Sequence, residues 1–200
     1  MLVRPLTLAL AVIGALCVTA TAANGQVTIR TSGGDVVQFS QKNVVDHMIR
    51  GDSIEVEMAR VAAARTQNAA VRDFANMLLK DHQAHLDNLY KLAGKGDIGR
   101  EANAADTASA EAIRSLAQLR TMPTDSGFDR TFIREQVQDH VGDINTLKML
   151  RPAAKDDDLR EDIDHTMPVL ERHLARARAL AAQLGVTTDT SRTTKTPPRL

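Results

Sequence analysis

The sequence predicts an all-α protein: an antiparallel four-helix bundle with a short extra helix between its second and third long helices. Three observations lead there. From residue 41 to 185 the apolar residues recur three and four positions apart, the spacing of one helix face. Alanine, leucine and arginine, all helix formers, are abundant, whereas tryptophan is absent and there is one tyrosine and four phenylalanines. The periodic segments fall into two pairs. Each pair is joined by a short turn and the pairs are linked by a longer connection, the pattern of two helical hairpins closing into a bundle.

The first long helix is expected from about Gln41 to Arg65, with Ser40 placed to cap it. The second starts after "TQN", where Asn68 can cap, and ends at the glycines of "GKG", residues 94–96. A loop to about Asp106 leads into the short helix, around residues 107–121, which "MPTDSG" breaks. Ser126 followed three residues later by Asp129 resembles a capping box opening the third long helix, which ends near "RPAAK". Asp156, Asp157 and Asp158 place negative charge at the start of the fourth, where the helix dipole favours it. That helix should reach about Leu184, with Gly185 beyond it. Pro168 removes one of its backbone hydrogen bonds and is expected to kink it.

The ends differ from the middle. Arg4, the apolar run "LTLALAVIGALCV" and the small residues at Ala20 and Ala22 read as a signal peptide over residues 1–22, cleaved after Ala22. A periplasmic or secreted location is therefore expected, with no stable membrane span after cleavage. Cys17, the single cysteine, would leave with that segment, so neither a disulfide nor a thiolate metal site is available. Residues 23–40 are expected to form a flexible or loosely docked lead-in, in which two β-prone runs around "SGGD" can pair as a small hairpin. The bundle domain is expected over 41–185, and the polar tail 186–200 should be disordered. Lys+Arg 25 against Asp+Glu 25 leaves no basic excess, which excludes a nucleic-acid footprint. No phosphate-binding glycine loop, nucleophile elbow or zinc-protease helix motif is present.

Helical wheels show what the inner faces carry. On the second long helix, Val71, Ala75, Leu78, Leu86 and Leu89 define the apolar stripe; His82 lies at its centre and His85 nearer an edge. On the third, His140 sits among Ile133, Val137, Ile144 and Leu147. On the fourth, His173 lies on the inner side and His165 on the flank. The first helix turns Asp52 inward and Glu55 to the edge of its inner face, with Glu57 pointing away. Glu55 and His82 lie at nearly equal distance from the first turn, so antiparallel packing brings them to similar depth.

Two readings follow. In one, Glu55, His82, His140 and His173 hold a single zinc, iron or copper ion, with Asp52 or His85 behind them orienting a ligand imidazole. In the other, the buried histidines and acids form a hydrogen-bond network in a non-catalytic envelope protein with a structural or stress-related role. A haem held by paired histidines would in addition need a large apolar slot.

"DSIEVEMARVAAARTQNAAVRDFANMLLKDHQAHLDNLYKLA" resembles the first hairpin of the bacterial domain-of-unknown-function 4142 family. "FDRTFIREQVQDHVGDINTLKML" and "MPVLERHLARARAL" resemble its second. The resemblance covers roughly residues 43–184 and implies an exported protein with a ferritin-like four-helix fold and no established activity. Glu55, Asp81, His82, His140, Pro168 and His173 fall on that family's recurrent polar and proline positions. The ferritin-like di-iron pattern needs Glu-x-x-His. Here Leu79, Val137 and Leu170 stand three residues before the inward histidines, and Asp162-x-x-His165 puts its histidine off the core face.

Overall fold

A computed structural model describes residues 19–23, 26–30, 36–106 and 108–187. Five helices make up most of it: α1 (Gln41–Arg65), α2 (Ala69–Ala93), α3 (Ala108–Thr121), α4 (Ser126–Leu150) and α5 (Asp157–Gln183). α1 pairs with α2 and α4 with α5 as antiparallel hairpins; α2 packs on α5 and α1 on α4, closing a four-helix bundle. The short α3 lies in the connection and packs along α1 and α4. The expected fold class is the observed one.

The helix starts follow from side chains that satisfy orphan backbone N–H groups. Ser40 and Asn43 form a reciprocal capping box at α1, Asn68 accepts from the amides of Ala70 and Val71, and Asp156 accepts from those of Asp158 and Leu159. At α4 the cap differs from expectation. Asp125, one residue earlier than Ser126, accepts from the amides of Gly127 and Phe128, and Ser126 is the first helical residue. Asp129 is instead buried and accepts from the Thr66 hydroxyl, tying α4 to the α1–α2 turn. A single 3₁₀ turn, Arg151–Ala153, joins α4 to α5. α5 continues through Pro168, which faces solvent, and Gly185 beyond it adopts φ 64°, the left-handed conformation that ends helices cheaply only at glycine.

The lead-in is more ordered than its composition suggests. Strands β1 (Thr19–Ala23), β2 (Gln26–Arg30) and β3 (Val36–Phe39) form an antiparallel meander. Alternation puts Val27, Ile29, Val37 and Phe39 on one face, and all four are buried. Docking on the bundle supplies what an isolated hairpin lacks. The segment after α2 then straps this end: Glu101 N–H donates to Lys42 O, and Asn103 donates to Gln38 O. β1 straddles the expected cleavage point. The apolar run before it, residues 1–18, and most of the expected tail, residues 188–200, lie outside the described residues. Among the described residues no helix is long and apolar enough to cross a membrane.

Candidate metal centre

One layer of the bundle is polar. His82 of α2, His140 of α4 and His173 of α5 are 4%, 0% and 1% exposed, and each offers a nitrogen within 4.8 Å of the other two. Their ring centroids lie 5.2–5.7 Å apart. The three stand on three helices because each occupies the middle of its apolar stripe, and antiparallel packing brings those midpoints level.

The nitrogens facing away from the centre are all engaged by oxygen. His82 Nδ1 lies 2.8 Å from Asp52 Oδ1, His173 Nε2 lies 3.0 Å from Asp81 Oδ2, and His140 Nδ1 lies 3.0 Å from the backbone oxygen of Gln136. A carbonyl or carboxylate oxygen only accepts, so each outer nitrogen must be the N–H donor. In the neutral imidazole the inner nitrogen is then a bare lone pair. Nε2 of His140 and Nδ1 of His173 face each other at 3.2 Å, and Nε2 of His82 is buried with no protein partner. Converging lone pairs repel unless a cation lies between them. Ligand imidazoles tied through their other nitrogen are the usual arrangement of a histidine metal site.

The electrostatics divide the trio, favouring bare lone pairs on His140 and His173 and a proton on His82. Burial, reinforced by repulsion from His82 and His173, holds His140 well below the usual histidine range. Burial also lowers His173, outweighing the pull of Asp81. His82 is raised, because the hydrogen bond and charge of Asp52, with Glu55 and Asp143 nearby, overcome its burial. A proton and a metal ion would therefore compete for His82 Nε2.

Behind the trio lies a second polar tier. His85 Nδ1 is 2.6 Å from the other oxygen of Asp52, and its Nε2 is 3.1 Å from Asp162 Oδ2 and 2.9 Å from the Thr166 hydroxyl. Burial alone would lower its pKa, but the two carboxylates raise it to about 10, so His85 is an imidazolium. Asp52, shared by His82 and His85, is lowered despite its burial. Asn88 donates to the remaining oxygen of Asp162.

The six residues singled out from sequence thus divide. His82, His140 and His173 converge. Asp52 orients His82, whereas His85 reaches the trio only through Asp52. Glu55 is buried but lies outside the converging group; its Oε2 accepts from the Gln136 side chain at 2.9 Å. Burial raises its pKa, with Asp143 and Asp52 adding to the effect against the pull of His82 and Gln136. His165 is exposed, and the residues three before the trio remain Leu79, Val137 and Leu170, so no Glu-x-x-His pair faces the interior. Sequence reasoning missed Asp81 and Gln136 as orienting groups, and His47. Asp81, His85 and Asn88 recur at i, i+4 and i+7 beside the apolar stripe of α2, a second polar stripe that faces α5. His47 Nδ1 is 2.8 Å from Asp106 Oδ2, on an α1 face that the wheel had not flagged.

An all-α four-helix bundle with a buried trio of histidines between its hairpins is the class that fold and site define. The chain belongs to the family described as Domain of unknown function (DUF4142), whose model matches residues 29–180. No curated protein matches it. Among solved structures, the crystal structure of a DUF305 fragment from Deinococcus radiodurans is similar with a TM-score of 0.61 and 14% identity, over 72% of this chain and 95% of that one. At that identity the likeness shows the fold alone.

Proposed function

We propose that the protein binds one transition-metal ion through His82, His140 and His173. The observation that carries this is the three inward nitrogens, whose rings are each fixed from behind by an oxygen acceptor. Imidazole donors suit zinc, copper or iron. Three protein ligands would leave a coordination position open, as catalytic rather than structural zinc sites do. Glu55, on α1, lines the same cleft as His82 and is not among the three. We further propose that the chain is exported, on the strength of residues 1–22.

Elemental analysis of untagged protein should find one equivalent of metal, and added zinc or copper should raise the melting temperature, because the ion stabilises only the folded form. His82→Ala and His140→Ala should each abolish that rise. A wild type with no stoichiometric metal and a melting point indifferent to zinc, copper and iron sinks the proposal. The network reading would then stand in its place, supported by the double bridging of His85 between Asp52 and Asp162. For export, the mass of protein recovered from a bacterial periplasm should correspond to cleavage after Ala22; uncleaved chain in the membrane fraction counts against it.

A further inference from the structure

The three histidines are too deeply buried for an ion to meet them directly, so a site there needs a way in. His140 and His173 are closed off by helix packing and by Gln136 and Asp81. His82 is different: it lines a cleft whose wall also includes Gly51, an exposed residue of α1. Its Nε2, 96% of whose residue is shielded from solvent, has no protein partner. A neighbouring cleft adjoins the first, and the two share His47, Gly51, Glu55 and Asp143.

Gly51 is the second observation. It lies within a 25-residue helix, where glycine is less favourable than alanine by roughly 0.5–1 kcal/mol. Its φ is not positive, and a Cβ built on it would meet no atom within 4 Å. Neither backbone conformation nor close packing therefore calls for glycine. A side chain there would project into open space on the wall that both clefts share. The shared lining is suited to a cation: Glu55 and Asp143 supply carboxyl groups, and His47, whose Nδ1 lies 2.8 Å from Asp106 Oδ2, adds an imidazole.

We infer that the cleft beside Gly51 is the route by which a divalent cation reaches the three histidines, passing His47, Glu55 and Asp143 on the way. This rests on the metal-binding reading proposed above. A route changes the rates of entry and exit together and leaves the equilibrium untouched, which separates it from a ligand.

The test follows Co²⁺ alone, whose visible bands report imidazole coordination, mixed with metal-free full chain in a stopped-flow instrument. Gly51→Leu puts a bulky side chain on the shared wall; uptake and release should both slow by about tenfold or more while Kd stays unchanged, the loss lying in encounter and not in contact. Asp143→Asn should lower the uptake rate several-fold at low ionic strength, with the difference vanishing at high salt as the carboxylate's field is screened. Its readout stands if the leucine disturbs folding. Binding at wild-type rates in Gly51→Leu, or rates in Asp143→Asn equal to wild type at every ionic strength, overturns the route and leaves the metal site standing. Absence of any Co²⁺ bands in the wild type overturns both.

Discussion

Two layers of the bundle core are built on different terms. Toward the α1–α2 turn, Met58, Ala62, Phe74, Leu78, Phe128 and Phe132 pack with 0–1% exposure, and the Phe74 and Phe132 rings meet 6.2 Å apart. Each of those side chains stabilises the fold by leaving water, and none needs a particular partner. One layer further along, the same helices bury Asp52, Glu55, His82, Gln136, His140 and His173. There, burial alone is unfavourable, and every group must find a hydrogen bond or an opposite charge. The apolar end is tolerant of chemistry and sensitive to volume. The polar layer reverses that, and its most buried nitrogens face one another rather than a partner. A sequence selected only for stability would continue the apolar packing through that layer.

Substitutions can break this comparison. Phe132→Ala should have the largest effect, destabilising by about 3–5 kcal/mol through lost transfer energy and an unfilled cavity, read from urea unfolding. His85→Ala should come next, at about 3 kcal/mol, because it removes the cation that the buried carboxylates Asp52 and Asp162 share. The pH dependence should carry its signature. A folded pKa raised from 6.5 to about 10 contributes stability fully present below about pH 6.5 and lost as pH rises through about 10. Wild type should therefore weaken across that window, and His85→Ala should weaken less. An identical slope in both would remove the imidazolium from the account.

His140→Leu sharpens the contrast. In the absence of metal it should be neutral or up to about 1 kcal/mol more stable than wild type, since it replaces a buried imidazole facing two others by an apolar group. The same change should erase any metal-dependent rise in melting temperature. A large loss of stability in metal-free protein would show instead that the layer is structural. Smallest is Gly51→Ala, which should stabilise by roughly 0.5–1 kcal/mol, measurable as a raised midpoint of denaturation.

Much of this was legible in the sequence. The helices and most of their caps follow from apolar spacing and from Ser40, Asn68 and Asp156, which act over three or four residues of their own chain. The inward histidines were legible too, because a wheel needs only the 100° step per residue to place His82, His140 and His173 at the centres of their stripes. The α4 cap was misplaced by one position, since Asp125 and Ser126 can both accept from the first amides and only the backbone conformation of Asp125 decides between them.

What the tertiary structure decided is which polar groups meet. A wheel gives direction around one helix but neither the offset along its neighbour nor the reach of a side chain between stripes. Glu55 and Asp52 both looked inward, one turn apart. Packing set Asp52, as far before Gln67 as His82 lies after it, against the imidazole and left Glu55 to Gln136 and the cleft. Asp81 lies about 100° from the centre of its stripe, where a sequence reader leaves it to solvent, yet α5 passes on that side and brings His173 to it. The same holds for β2 and β3, too short to be stable alone and ordered by the bundle end that buries their apolar face. Local spacing fixed direction and helix ends because both depend on neighbours in the chain; depth, partners and the cleft beside Gly51 depend on how separate helices settle against one another, which no stretch of one helix encodes by itself.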